Sequence, residues 1–165
     1  MVASNIKRMS RLELLYTCVA NLAREVWKIR GTLPGGLKHY TEKDDINQVI
    51  YHNRSEDTSS KIETILADAL LLKDFCGADF DTSSSYLLLL RVLKEQAVGN
   101  EDGTLRLRVK EDGGMDSSIL QNPADPDATY REKAGKQNRG YTANVTECSG
   151  EEEPDGAGLR RRRPP

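Results

Sequence analysis

Two carboxylates two residues apart, Asp125 and Asp127, flank Pro126, and paired carboxylates beside a turn are an arrangement that holds hard cations. Such an ion needs several further oxygen ligands, and Asp-Pro-Asp is turn chemistry in its own right, so no metal ligand is assigned here. A few residues on, Arg131, Lys133, Lys136 and Arg139 stand among polar residues, with Tyr130 and Tyr141 beside them. Cations at this density on a loop suit neutralisation of nucleic-acid phosphates, and these four are the candidate DNA-binding residues. Arg106, Arg108 and Lys110 make a second basic edge, for which a solvated strand face is the simpler account. His39 and His52 have no carboxylate or cysteine at ligand spacing and read as surface or lightly buried histidines. Cys18 lies beside an apolar stripe and reads as a core thiol. Asn144-Val145-Thr146 matches a glycosylation acceptor, without consequence in a cytosolic chain. No residue is assigned a catalytic role and no cofactor is expected of this chain.

The elements that position these residues begin with a helix. Ser10-Arg-Leu-Glu13 has the spacing of a capping box, and Leu12, Leu15, Val19, Leu22, Val26 and Ile29 recur at three and four until Gly31 and Pro34 end the run. A shorter helix is expected from Asp44 to Tyr51, with Ile46, Val49 and Ile50 on one side. After Ser59 a second long helix carries Ile62, Ile65, Leu66, Ala69 and Leu70 on one face and stops at Gly77. Asp81 is placed to cap another, with Leu87, Leu90 and Leu93 sharing a face and the run fading near Ala97. Asn100 to Gly103 then marks a turn, and Leu105, Leu107 and Val109 alternate with Arg106, Arg108 and Lys110 as in a short strand. Glycines and prolines from Gly113 to Pro126 predict a loop with little core of its own, and Tyr141, Ala143 and Val145 suggest a further strand. The expected organisation is a helical region over 1–98, strands and loop over 99–147, and a disordered tail over 148–165 that ends in Arg160 to Arg163 and two prolines.

Composition narrows the class without deciding the partner. Of 165 residues 37% are apolar, which is low for a fully filled core of that length. The 30% of charged residues nearly cancel to a net of −2, so there is no global basic field to announce nucleic acid. Cys18, Cys76 and Cys148 form no CxxC pair, which argues against a zinc site or a disulfide framework and fits a reducing cytoplasm. No apolar run reaches the ~18 residues of a membrane span, and the N-terminus lacks a signal-like stretch, so a cytoplasmic chain without a membrane partner is expected.

Three stretches taken together resemble one family: Met-Val-Ala-Ser-Asn-Ile-Lys-Arg-Met-Ser-Arg-Leu-Glu-Leu-Leu-Tyr from Met1 to Tyr16, Lys-Glu-Asp-Gly-Gly-Met from Lys110 to Met115, and Leu-Gln-Asn-Pro-Ala-Asp-Pro-Asp-Ala-Thr-Tyr-Arg-Glu-Lys-Ala-Gly-Lys-Gln-Asn-Arg-Gly-Tyr from Leu120 to Tyr141. They are similar to the middle of bacterial insertion-sequence transposases with a ribonuclease-H-like DDE domain, over roughly residues 1–147. The last block is the most specific. The resemblance implies an α+β, mainly helical fold: an incomplete ribonuclease-H-like core with a helical insertion, carrying a disordered tail. It also implies DNA transposition as the ancestral activity, in which two Asp and one Glu hold a pair of divalent ions, magnesium in the intact enzyme, for strand cleavage and joining.

By the same resemblance the first Asp precedes the segment matching Met1 to Ser4, and the second Asp and the Glu follow the strand matching Gly140 to Val145. The chain is therefore expected to be a transposase fragment that is inactive on its own, with DNA and the full-length transposase as implied partners. Suitable codons for residues 148–162, read one nucleotide later, encode a hairpin and an apolar strand, so a frameshift after about Glu147 and an internal start at Met1 are expected. The alternative is a small helical interaction or DNA-binding protein, using residues 10–97 as a bundle, that associates with the full-length enzyme.

Overall fold

A computed structural model describes residues 8–43, 45–46, 49–50, 57–114, 118–127, 129–133 and 136–140. The chain is mainly helical with two small antiparallel strand pairs, an α+β arrangement. Helix α1 spans Arg11–Arg30, α2 Thr58–Cys76 and α3 Ser84–Gln96; strands β1 Ala97–Gly99 and β2 Leu105–Leu107 form one pair, β3 Thr129–Lys133 and β4 Lys136–Gly140 the other.

Helix α1 starts as its cap predicts, because the Ser10 hydroxyl accepts the free amide of Glu13 at 3.1 Å. It ends at Gly31, whose φ of 67° lets its N–H turn back to the Trp27 carbonyl. Between these points α1 is not a surface helix with one apolar stripe. Leu14, Tyr16, Cys18, Ala20 and Ala23 are buried along with Leu12, Leu15, Val19, Leu22 and Val26, while Ile29, expected on the buried stripe, is 65% exposed. The reason is enclosure: α2 and α3 both pack on α1, as does a 3-10 turn over Leu37–Thr41 that brings Leu37 and Tyr40 into the core.

Helix α2 buries Ile62, Ile65, Leu66, Ala69, Leu72 and Cys76. Its C-terminal carbonyls are served from α1, since Arg30 donates to Phe75 O at 2.7 Å and Cys76 O at 3.2 Å and also pairs with Asp79. The same guanidinium lies over the rings of Phe75 and Phe80. Helix α3 is capped by Ser83, which accepts from Tyr86 N at 3.3 Å, and not by Asp81. Its buried face is Tyr86, Leu89, Val92, Leu93 and Gln96; Leu87, expected to face the core, is 51% exposed. In a helix that is leucine-rich all round, the position of α1 selects the face.

The predicted turn after Gly99 closes a hairpin. Asp102 accepts the amide and hydroxyl of Thr104, Gly103 has φ 82°, and Ala97, Val98 and Gly99 pair with Leu107, Arg106 and Leu105. The pairing crosses residue 98, so the regions placed on either side of that position share one ladder. Strand β2 is shorter than expected: Val109 lies outside it and is 46% exposed. The segment from Ser118 to Asp127 is irregular, as its prolines require, but it is docked. Leu120 is buried to 1%, its amide donates to Glu95 Oε2 at 2.6 Å, and Met9 N reaches Gln121 O at 3.3 Å.

At the expected helix over 44–51, Asp45, Ile46, Val49 and Ile50 are helical and half-buried, and the other positions lie outside the described residues. So do Met1 to Lys7, His52, the expected strand from Tyr141 to Val145, the Asn144 acceptor, Cys148, and the tail with Arg160 to Arg163.

Candidate functional site

The four candidate DNA-binding residues fall on the β3–β4 pair and not on a loop. In its register Arg131 stands opposite Asn138, Lys133 opposite Lys136, and Arg139 opposite Tyr130. Opposed residues, and residues two apart on a strand, share a face of an antiparallel ladder. Arg131, Lys133 and Lys136 thus belong to one face and Arg139 to the other. Tyr141, grouped with them by sequence, lies outside the described residues.

The second basic stretch is placed differently. Arg106 grips Asp112 with two bonds of 2.7 Å, one from each terminal nitrogen, and this pairing with the Val109 amide holds the Asp112 carboxyl well below the usual range. Arg108 donates to Gly113 O and Lys94 O, both at 3.2 Å, and its Nε is buried without a partner. These side chains staple the β1–β2 hairpin and the 3-10 turn at Lys110–Asp112 to α3. The edge stays solvated as expected, with the Arg106 side chain 43% exposed and Lys110 exposed, but the donors of Arg106 and Arg108 are engaged within the chain.

Two further arginines act in the same way. Arg11 donates from Nε to the Gln96 side chain at 2.9 Å and from Nη2 to Gln96 O and Arg108 O at 3.2 and 2.7 Å, so the first turn of α1 is tied to the end of α3. Arg91 pairs with Glu95 at 2.8 Å and donates to Pro126 O at 3.0 Å and Ser118 O at 3.1 Å, which fixes the proline-rich segment on α3. That segment bends at Asn122, whose side chain accepts Ala124 N at 2.9 Å while its carbonyl accepts Asp125 N at 3.2 Å. Asp125 and Asp127 are thus part of a turn system. Among the described residues no three His, Cys, Asp or Glu side chains gather as metal ligands would.

One cavity accompanies this polar framework. It has a volume of about 190 Å³ and is lined by Tyr16, His39, Tyr40, Lys61 and Asp68 together with Val49 and Ile65. The Tyr16 phenol donates to Asp45 at 2.5 Å and the Tyr40 phenol to Asp68 at 2.7 Å, with the two rings 5.2 Å apart. Burial raises both phenols above their ordinary range, and the carboxylate partners raise them further. Lys61 is held by the Val49 carbonyl at 3.2 Å. The pocket is below the ~300 Å³ at which small-molecule sites begin, and Tyr16, His39, Tyr40, Lys61 and Asp68 already have partners within the chain. Sequence reasoning missed both tyrosine–aspartate pairs, because their members lie in different elements, 29 and 28 residues apart.

The remaining nucleophile and base candidates are quiet. Cys18 is 2% exposed, and burial pushes its thiol up to about 12, as a core thiol should behave. His39 is exposed, with Nδ1 3.2 Å from the Gly36 carbonyl. Among the described residues no helix is long and apolar enough to cross a membrane. Comparison with known proteins finds no matching family model, no matching curated protein and no matching solved structure.

Proposed function

We propose that this chain is a fragment of a bacterial DDE transposase that associates with DNA and does not cleave it alone. The observation that carries the reading is the joint resemblance of Met1 to Tyr16, Lys110 to Met115 and Leu120 to Tyr141 to the middle of that family. On this reading α1 to α3 correspond to the helical insertion of an incomplete ribonuclease-H-like core, and the basic β3–β4 pair supplies contact with DNA phosphates. The residues matched to the family include none of its three carboxylates, so the magnesium-dependent chemistry of the intact enzyme is assigned elsewhere.

The test is binding of a labelled duplex at about 50 and about 200 mM salt, where a phosphate-contacting protein loses affinity steeply. Retention at low salt that fades at high salt supports the reading, and no retention at either contradicts it.

A second reading is favoured by the core itself. Apart from Leu120 and Pro123, every buried apolar side chain among the residues whose burial is described lies between Leu12 and Ala97, so the core is built mainly by the three helices, with Leu105 and Leu107 of β2 packed against it. That suits a small helical interaction protein that pairs with the full-length transposase. Capture of an intact insertion-sequence transposase by the tagged chain, without duplex binding, would favour it over the first reading.

A further inference from the structure

We infer that residues 118–127 form a strap that leaves and rejoins helix α3 as one unit while the helices stay folded, with Arg91 and Glu95 as its latch. This device stands apart from the DNA reading and does not depend on it.

The latch consists of two α3 side chains one helical turn apart. Arg91 donates to the carbonyls of Ser118 at 3.1 Å and Pro126 at 3.0 Å, near the two ends of the strap, and Glu95 accepts the Leu120 amide at 2.6 Å between them. Leu120 is the deepest anchor at 1% exposure, and Asn122 and Pro123 are buried as well. A further hold comes from the chain just ahead of α1, where the Met9 amide donates to the Gln121 carbonyl at 3.3 Å.

The strap carries its own shape. The Asn122 side chain accepts Ala124 N at 2.9 Å, its carbonyl accepts Asp125 N at 3.2 Å, and Gln121 Nε2 donates to Ile119 O at 3.1 Å. These bonds can travel with the segment. It is neither helix nor strand, so its departure interrupts no run of ladder or helix bonds.

The latch also survives release. Arg91 and Glu95 pair with each other at 2.8 Å as i, i+4 neighbours, and their side chains are 35% and 22% exposed, so neither charge is stranded in a dry site when the strap departs. The freed carbonyls and the Leu120 amide pass to water. Because the other buried apolar side chains whose burial is described lie between Leu12 and Ala97, the core keeps its remaining members. A segment with few apolar anchors and solvent-reachable bonds belongs to the low-stability end of a structure, which opens before the rest. Opening has a mechanical consequence. Docked, the strap leaves Asp127 and Ala128 between the held Pro126 carbonyl and β3; released, it lengthens that tether by up to ~3.3–3.6 Å for each residue freed.

The test is site-resolved amide hydrogen exchange on the full chain, unaltered and as R91M, R91K and I62V/I65V. The Leu120 and Met9 amides bond across the strap's two borders, so both report its release. In the unaltered chain they are expected to share one protection factor within about threefold, at least about tenfold below the best protected amides of α1. R91M should lower the protection of both by at least about fivefold, although Arg91 bonds neither amide. R91K keeps the charge but loses the fork, and a smaller, equal loss at both amides is expected. I62V/I65V trims buried side chains of α2. It should lower the protection of α1 amides by about tenfold and leave Leu120 and Met9 within about twofold.

An equal loss at Leu120, Met9 and α1 in I62V/I65V overturns the inference, because the strap would then open only with the whole fold. Loss at Leu120 without loss at Met9 in the Arg91 variants overturns it as well, since the segment would not move as one unit. Exchange of both amides at the free-peptide rate in the unaltered chain would mean that no strap is docked.

Discussion

Arginines 11, 91, 106 and 108 and the cations of β3 and β4 belong to the same chemical class, but they stand in different kinds of place. Each of the four arginines ends on backbone carbonyls or a carboxylate, at places where helices, hairpins and turns stop and leave acceptors without partners. The guanidinium suits this task because its donors are fixed in a planar fork, and one side chain can tie two or three chain segments at once. In the β3–β4 ladder the register sets Arg131 and Lys133 at alternate positions and Lys133 opposite Lys136. A basic stretch whose donors the fold already uses is not available for binding, and cation density in the sequence does not show which stretches those are.

The comparison can be broken at either end. The largest effect is expected from Arg11→Met, which leaves the Arg108 carbonyl and the Oε1 of the buried Gln96 side chain short of a donor, while the Gln96 carbonyl keeps the Arg108 amide. It should lower stability by about 2–3 kcal/mol in urea unfolding, with duplex affinity unchanged while the chain stays folded. Next is Tyr40→Phe, which removes the phenol that Asp68 accepts and should cost about 1 kcal/mol.

The buried phenols and Cys18 predict the alkaline limit. Their ionisation is raised in the folded chain, so the stability they contribute is complete below their unfolded values, about 9 for the thiol and about 10 for the phenols, and is lost as pH climbs above them. A pH series of thermal melts should be flat with respect to these groups through neutrality and fall beyond about pH 9. In an ultraviolet titration, Tyr16 and Tyr40 should ionise only with unfolding. Early ionisation of all six tyrosines would contradict the enclosed cluster. The smallest effect, and one of opposite sign, is expected from Lys133→Glu. It turns the opposed like charges into an opposite pair, so the hairpin should gain about 0.2–1 kcal/mol while duplex binding weakens.

Signals that act locally were legible in the sequence. Ser10 and Gly31 bound α1, Gly77 ends α2, and Asp102 with Gly103 makes the turn, because a cap or a left-handed glycine depends only on its neighbours. Faces were less legible. Ile29 and Leu87 lie on apolar stripes yet are exposed, since which side of a helix is covered depends on partners distant in the chain. Ala97 to Gly99 form a strand only by pairing with Leu105 to Leu107, and Leu120 is buried only because Arg91 and Glu95 hold its segment down.

The candidate site was legible as a set of residue types but not as a geometry. Thr129 to Gly140 has no apolar alternation to mark strands, and the available signal was Gly135 in the two residues between them. The use of Arg106 and Arg108 as staples needed the positions of Asp112, Gly113 and Lys94, which alternation along a strand does not contain.

The most direct measurement of the central claim is a single gel in which the full chain is incubated with supercoiled plasmid and magnesium at low salt, because plasmid mobility reports binding and plasmid topology reports cleavage. On the proposed reading the chain should retard the plasmid and, once stripped from it, leave it supercoiled. Magnesium-dependent conversion to nicked circles by the isolated chain would contradict that account.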